Sequence, residues 1–241
     1  MGVNKQITKA VILSAGKGSR LLSITDEYPK TMINIRGKPI LEHNIILCKN
    51  YGINEIYINT HHAPEIIENY FLDGKKYGVK ILYSREKKIM GTAGSLLGFK
   101  DYIKDEEFLL IYGDNLFMIN LSSFFKFHYS KKSRFSILAH WRDDCSSSGK
   151  LNFNDQKLLN NIYEKEPSNK TKGYVNAGMY IIKNMQDFNS LIYEGSDFSY
   201  NVIPRLIDRK LIYVYETKEM VYPIDNQYLL KDTIAKLESQ K

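Results

Sequence analysis

Apolar positions in the first half of the chain fall into short continuous runs that alternate with helical stripes. Residues 8–14 (TKAVILS) form a short apolar run closed by glycine, the pattern of a strand buried on both faces of a parallel sheet. Residues 38–51 set Ile40, Leu41, Asn44, Ile45, Leu47 and Cys48 on one helical stripe that stops before Gly52. The spacing then predicts a strand over 53–60 (INEIYINT), a helix over 64–74, a strand over 79–86 (VKILYSRE), a helix over 92–103 and a strand over 107–115, which ends in Gly113, Asp114 and Asn115. Strands alternating with helices of this length imply βαβ units and a mostly parallel sheet. Ligands in such sheets gather at the carboxyl ends of the strands, which places residues 14–20, 91–95 and 114–115 on one rim.

The second half changes in kind. Runs at 134–141, 150–154, 160–167, 174–183 and 211–220 read as further strands joined by long loops, and 228–240 (YLLKDTIAKLESQ) as a closing helix. The expected class is α/β: a Rossmann-like, mostly parallel or mixed sheet flanked by helices, with a smaller β-rich portion. One domain over 1–241 is expected, its halves meeting near residues 130 and 131.

Composition narrows the classes. At 241 residues and 43% hydrophobic, the chain is long enough to bury a substantial core. No window approaches the roughly 18 consecutive apolar residues of a spanning helix, and the polar start MGVNKQITK lacks a secretory h-region, so a cytoplasmic protein without membrane contact is expected. Gln6 stands where the myristoylation pattern requires Ser or Thr. Cys48 and Cys145 have no metal-type spacing and suit a reducing compartment. The net charge of +7 would suit polyanions, but its 34 basic residues are dispersed and answered by 27 acidic ones, with no aromatic-interleaved basic stripe. Nucleic acid is therefore not the expected partner; a small phosphorylated substrate accounts for the charge equally well.

The turn after the first strand, AGKGSRL (15–21), supplies backbone N–H groups through its glycines and a guanidinium fork at Arg20, both suited to phosphate oxygens. It is not a P-loop, which needs two glycines five apart followed by Lys and Ser or Thr. Nor is it a dinucleotide fingerprint, since Leu21 stands where a third glycine or alanine belongs. Alone, this turn is as well explained by two solvated cations. His61 and His62 look like metal ligands, but no third ligand lies at useful spacing, so they are read as a loop feature.

Further motifs follow in order: Pro29-Lys30, Gly37-Lys38-Pro39-Ile40, GTAGSL (91–96), GDN (113–115), EKEP (164–167), VNAGMY (175–180) and PID (223–225). With AGKGSRL, this ordered set over almost the whole chain resembles the sugar-1-phosphate nucleotidyltransferases. The resemblance implies transfer of a nucleotidyl group from a nucleoside triphosphate to a sugar 1-phosphate, with pyrophosphate released. It assigns residues from about 8–130 to the nucleotide and about 131–241 to the sugar phosphate.

In such a reaction the attacking phosphate is already an anion, so catalysis is chiefly positioning and electrostatic stabilisation. By the resemblance, Arg20 holds the departing β- and γ-phosphates, Lys30 sits at the α-phosphate, and Lys165 holds the sugar phosphate. Asp114 and Asp225 would bind Mg²⁺, a hard ion that prefers one or two carboxylates with phosphate oxygens and water. Asn226, Gln227 and Tyr228 depart from the family's usual Gly-Thr-Pro after the second aspartate, leaving its exact position open. Ser14, Ala15, Gly16, Lys17, Gly18, Ser19, Gly91, Thr92, Gly94 and Ser95 correspond to nucleotide contacts, and Asn115, Glu164, Asn176 and Gly178 to sugar contacts.

The base is not settled by these motifs. GTAG and INTHH (58–62) resemble mannose-type and heptose guanylyltransferases, which favours GTP and a manno-configured hexose or heptose 1-phosphate. Ala15 ahead of Gly16 is a variant common among uridylyl and cytidylyl enzymes. UTP- or CTP-dependent transfer, to a sugar or to a non-sugar phosphate such as phosphocholine, therefore stays open. So do a non-catalytic regulatory relative and homo-oligomerisation. With only one helix expected after Asp225, no left-handed β-helix or acyltransferase extension is expected.

Overall fold

A computed structural model of the chain describes residues 6–16, 28–146, 148–163, 171–224 and 226–239. They form an α/β fold, a mixed parallel and antiparallel sheet flanked by helices. Two compact units divide the chain, each assembled from separated segments: unit 1 from 1–89, 111–118 and 221–241, and unit 2 from 90–110 and 119–220.

Unit 1 begins with β1 (Lys9–Leu13), the short hairpin strands β2 (Asn34–Ile35) and β3 (Lys38–Pro39), α1 (Ile40–Asn50), β4 (Glu55–Thr60), α2 (Pro64–Phe71) and β5 (Lys80–Arg85). Strands β1, β4 and β5 are parallel, with Lys9 opposite Glu55 and Leu13 opposite Asn59, then Glu55 opposite Lys80. Ala10, Val11 and Ile12 on β1 and Ile56, Tyr57 and Ile58 on β4 are fully buried, as strands covered on both faces require. Helix α1 buries the expected stripe of Ile40, Leu41, Asn44, Ile45 and Cys48, while Leu47 is only half-buried.

The chain then enters unit 2 through a 3₁₀ segment (Gly94–Phe99), α3 (Lys100–Ile103) and β6 (Phe108–Tyr112). A single helix over 92–103 is not formed. Gly94 and Gly98 weaken it, and the Ala93 and Gly94 N–H groups are directed outward to the Ser196 carbonyl at 3.0 and 3.1 Å. After β6 the chain returns to unit 1 as β7 (Asn115–Met118), so the run expected over 107–115 breaks at Gly113-Asp114.

Unit 2 continues with α4 (Leu121–Ser130), β8 (Phe135–Arg142), β9 (Lys150–Phe153), β10 (Leu159–Tyr163), β11 (Gly173–Ile182), α5 (Ile203–Asp208) and β12 (Ile212–Thr217). Strand β8 runs antiparallel to β11, with Phe135 opposite Ile182, and parallel to β12, with Phe135 opposite Ile212. Phe135, Tyr180, Phe188 and Phe198 fill the space beneath, and the Tyr180 and Phe198 rings stack at 5.6 Å between centroids. Unit 2 also holds a buried network in which His128 Nδ1 lies 2.8 Å from Ser136 Oγ and Nε2 lies 3.1 Å from Glu107 Oε1. The grouping has the residue types of a hydrolase triad, but Ser136 is 0% exposed, so its hydroxyl meets no substrate and the network braces α4 against β8.

The expected strand over 211–220 is two strands. Glu219 N–H donates to Thr217 Oγ1 at 3.0 Å and ends β12, and β13 (Met220–Pro223) pairs with β7 instead. Helix α6 (Gln227–Glu238) closes unit 1, capped by Asn226 Oδ1, which accepts from Leu229 N–H at 2.9 Å. It packs Leu230 and Leu237 into a cluster with Ile33, Ile35, Ile40, Leu116, Tyr222 and Ile224, drawn from all three segments of the unit.

Candidate functional site

In unit 1 the carboxyl ends of β1, β4 and β5 are tied together by one buried amide. Ser14 N–H donates to Asn59 Oδ1 at 2.7 Å, and Asn59 Nδ2 donates to Glu86 Oε1 at 2.8 Å. His61 Nδ1 lies 2.8 Å from the Glu86 carbonyl, which gives that histidine the loop role expected of it. Ser14 and Ala15 are buried and Gly16 is exposed, so the chain rises to the surface where the glycine turn starts.

Asp114 reaches the same edge by a close backbone approach. Gly113 N–H donates to the Leu13 carbonyl at 2.9 Å, and a Cβ on Gly113 would stand 2.7 Å from that oxygen, so only glycine permits the contact. Asp114 Oδ2 then accepts a charge-assisted hydrogen bond from Lys30 Nζ at 2.6 Å. The Lys30 side chain is 7% exposed and that of Asp114 is 35% exposed. A lysine this deeply buried requires an anion, and its partner keeps one side open to solvent. The chain neighbour of Asp225, Ile224, donates its N–H to the Asp114 carbonyl at 3.4 Å.

The Mg²⁺ implied by the motifs can be tested against this donor set. Asp114 already accepts a cation, since the Lys30 ammonium occupies Oδ2, and it remains partly open. Among the described residues no group of three or more His, Cys, Asp or Glu could hold a metal unaided. One or two carboxylates completed by phosphate oxygens and water is the arrangement Mg²⁺ adopts beside a triphosphate, so the residues suit it.

Unit 2 carries the GTAG segment. Gly91 has φ +79°, and a Cβ there would fall 2.3 Å from the Ser196 carbonyl oxygen. Thr92 Oγ1 donates to Asp197 Oδ2 at 2.7 Å and accepts from Phe198 N–H at 2.9 Å; Ser95 Oγ donates to the Gly91 carbonyl at 2.7 Å. Gly91 is thus dictated by backbone packing against residues 195–196, an internal reason that motif reading did not supply. Also in unit 2, Asn176 and Gly178 lie at an irregularity of β11, where the register with β8 shifts between Asn176 and Tyr180. Asn176 Oδ1 accepts from Gly178 N–H at 2.9 Å and its Nδ2 donates to Tyr180 Oη at 2.7 Å.

The structure therefore brings Ser14, Lys30, Asp114 and Asn115 together within unit 1, and holds Gly91, Thr92, Gly94 and Ser95 in one braced turn of unit 2. Lys17, Gly18, Ser19, Arg20, Glu164, Lys165 and Asp225 lie outside the described residues. One residue that motif reading missed is Asn44, 0% exposed on α1, whose Nδ2 donates to the carbonyls of Asn115 at 2.9 Å and Gly113 at 3.4 Å. Its signal was a polar residue inside an apolar stripe. No helix among the described residues is long and apolar enough to cross a membrane.

Known proteins resemble this chain in sequence and in fold. The family model described as nucleotidyl transferase matches residues 9–222. A UTP–glucose-1-phosphate uridylyltransferase of Synechocystis is 32% identical over 221 residues, 84% of this chain and 56% of that protein. A D-glycero-α-D-manno-heptose 1-phosphate guanylyltransferase of Campylobacter jejuni is 33% identical over 174 residues, 72% of this chain and 75% of that protein. Among solved structures, HddC from Yersinia pseudotuberculosis superposes with a TM-score of 0.83 at 22% identity, covering 96% of this chain and 100% of that one. The chain thus spans about half the length of the cyanobacterial relative and three-quarters of the guanylyltransferase.

Proposed function

The chain belongs to the nucleotidyl transferase family, and from that premise we propose that it makes a nucleoside diphosphate sugar and pyrophosphate from a nucleoside triphosphate and a sugar 1-phosphate. The observation that carries the reading is the pair formed by Lys30 and Asp114 at 2.6 Å, a buried cation and a partly open carboxylate at the edge where β1 ends. Those are the two charges that an α-phosphate and its metal require.

In the proposed reaction an oxygen of the sugar phosphate attacks the α-phosphorus. The new P–O bond forms as the bond to the β-phosphate bridging oxygen breaks, and pyrophosphate leaves with that electron pair. Lys30 stabilises charge building on the α-phosphate, Arg20 grips the departing β- and γ-phosphates, and Lys165 orients the attacking phosphate. Asp114, with Asp225, would hold Mg²⁺, which when bound neutralises phosphate charge. By the motif resemblance, Ser14 to Ser19 and Gly91 to Ser95 would contact the nucleotide, and Asn115, Glu164, Asn176 and Gly178 the sugar hydroxyls. The nucleotide portion is residues of about 8–130 and the sugar-phosphate portion about 131–241.

For the base, GTAG and INTHH support guanine with a manno-configured hexose or heptose 1-phosphate. A second reading, UTP or CTP, is favoured by Ala15 ahead of Gly16. Incubation with Mg²⁺, each common triphosphate and a panel of sugar 1-phosphates, with pyrophosphate measured, tests both. GTP with a manno-configured partner is expected to release most. Release with UTP or CTP in its place would select the second reading, and none from any pair would refute the enzyme reading. Lys165→Ala should weaken sugar-phosphate use more than triphosphate binding, and Arg20→Ala the reverse; equal losses in both variants would contradict the division of roles.

A further inference from the structure

Asp114 sits in a two-residue break between β6 and β7, where no regular ladder holds its backbone. The carbonyls on either side of it, those of Gly113 and Asn115, are both taken by one side-chain amide, Asn44 Nδ2 of α1. An Asn amide nitrogen has two hydrogens, so each carbonyl can receive one. We propose that Asn44 is a positioning residue for Asp114: it clamps the break from below and sets where the carboxylate stands. The proposal rests on Asp114 being the metal-holding carboxylate.

Three further observations support the assignment. Asn44 is 0% exposed, on the face of α1 that otherwise buries Ile40, Leu41, Ile45 and Cys48. Its Oδ1 has no partner among the described residues, an unmatched buried acceptor that a leucine of similar volume would not carry. A polar side chain kept in an apolar slot despite that cost is explained by what its Nδ2 does. Finally, the segment it clamps is held from other sides by Gly113 N–H on the Leu13 carbonyl and Ile224 N–H on the Asp114 carbonyl. The amide thus completes a backbone cradle from which the Asp114 carboxylate projects to meet Lys30 Nζ. Groups that orient a metal ligand from behind typically alter metal affinity by about 10–100-fold when removed.

The test compares Asn44→Leu and Asn44→Ala with the wild type, alone and combined with Asp114→Ala, measuring Mn²⁺ binding by EPR, thermal melting and pyrophosphate release. Mn²⁺ binding is expected to weaken about 10-fold or more in either Asn44 variant that still melts cooperatively. In the Asp114→Ala background, the Asn44 change should add no further loss of Mn²⁺ binding or turnover. Unchanged Mn²⁺ affinity in a folded Asn44 variant would overturn the proposal, as would an equal additional loss when Asp114 is already gone, which marks a general packing role. Asn44→Ala is included because leucine could fail to fold. If Asp114→Ala itself leaves Mn²⁺ binding intact, the reading of Asp114 fails, and that outcome is distinct because it is seen without touching Asn44.

Discussion

Replacing Lys30 by methionine removes the ammonium from Asp114 while keeping an unbranched side chain in the buried slot. Unit charges 2.6 Å apart attract by about 1.6 kcal/mol at the dielectric of water and about 6 kcal/mol at an effective value of about 20. Asp114 is 35% exposed, which places the pair toward the wet limit, and the cost of burying Lys30 offsets part of the gain. A net of about 2 kcal/mol remains, roughly 30-fold in an equilibrium constant. A metal approaching Asp114 without nucleotide competes with this ammonium for the carboxylate. Lys30→Met should therefore bind Mn²⁺ alone more tightly than the wild type, by about 10- to 30-fold, although its turnover falls by about 100-fold or more because the α-phosphate loses its cation. EPR titration of free Mn²⁺ measures the first effect and pyrophosphate release the second. Equal or weaker Mn²⁺ binding in the folded variant would refute the competition between lysine and metal for one carboxylate.

Other expectations follow from the same geometry. Gly91→Ala places a methyl 2.3 Å from the Ser196 carbonyl at φ +79°, so stability should fall by about 1–3 kcal/mol, read as a drop of several degrees in melting temperature; an unchanged melt would show that the turn yields freely. Burial, aided by the Arg142 charge, pushes His140 down from 6.5 to about 4. Between those values the unfolded chain takes up a proton that the folded chain resists, so stability present above pH 6.5 is lost progressively on acidification toward pH 4. His140→Leu should flatten this part of the stability–pH curve, and an unaltered slope between pH 6.5 and 4 would count against it. Burial pushes the Cys48 thiol up to about 12, so a thiol reagent at pH 8 should modify Cys48 only after denaturant unfolds the protein.

The parallel strands of unit 1 were legible because strands covered on both faces carry short apolar runs: AVIL within KAVIL and IYI within EIYINT are such runs. Helix α4 escaped because LSSFFKFHYS is mostly weak helix formers, Ser, Phe, His and Tyr; its buried Leu121, Phe124 and His128 do keep helical spacing, and tertiary burial overrode propensity. The split of 211–220 depends on Thr217 accepting from Glu219 N–H, a side-chain turn that apolar patterning does not register. In the site, Lys30 and Asp114 were each legible through motif resemblance. Their direct pairing across 84 residues of sequence was not, since spacing carries no distance. Asn44 was seen only as a member of a stripe, because a buried amide whose Nδ2 donates to backbone carbonyls has no signature apart from its company.

The discontinuity of unit 1 bears on how the protein is made. Strand β7 waits for β13 as its partner, and Leu116 for Tyr222, Ile224 and the helix that brings Leu230 and Leu237. A ribosome adds about 5–20 residues per second, so roughly a hundred residues separate the emergence of Asp114 from that of its last supports, an interval on the order of 5–20 seconds. Throughout it the apolar side of β7 lacks its cover. Unit 2 is complete by residue 220 and unit 1 only after it, so the carboxylate on which the chemistry is proposed to depend is framed by a segment that emerges about a hundred residues after it, through contacts distant in sequence.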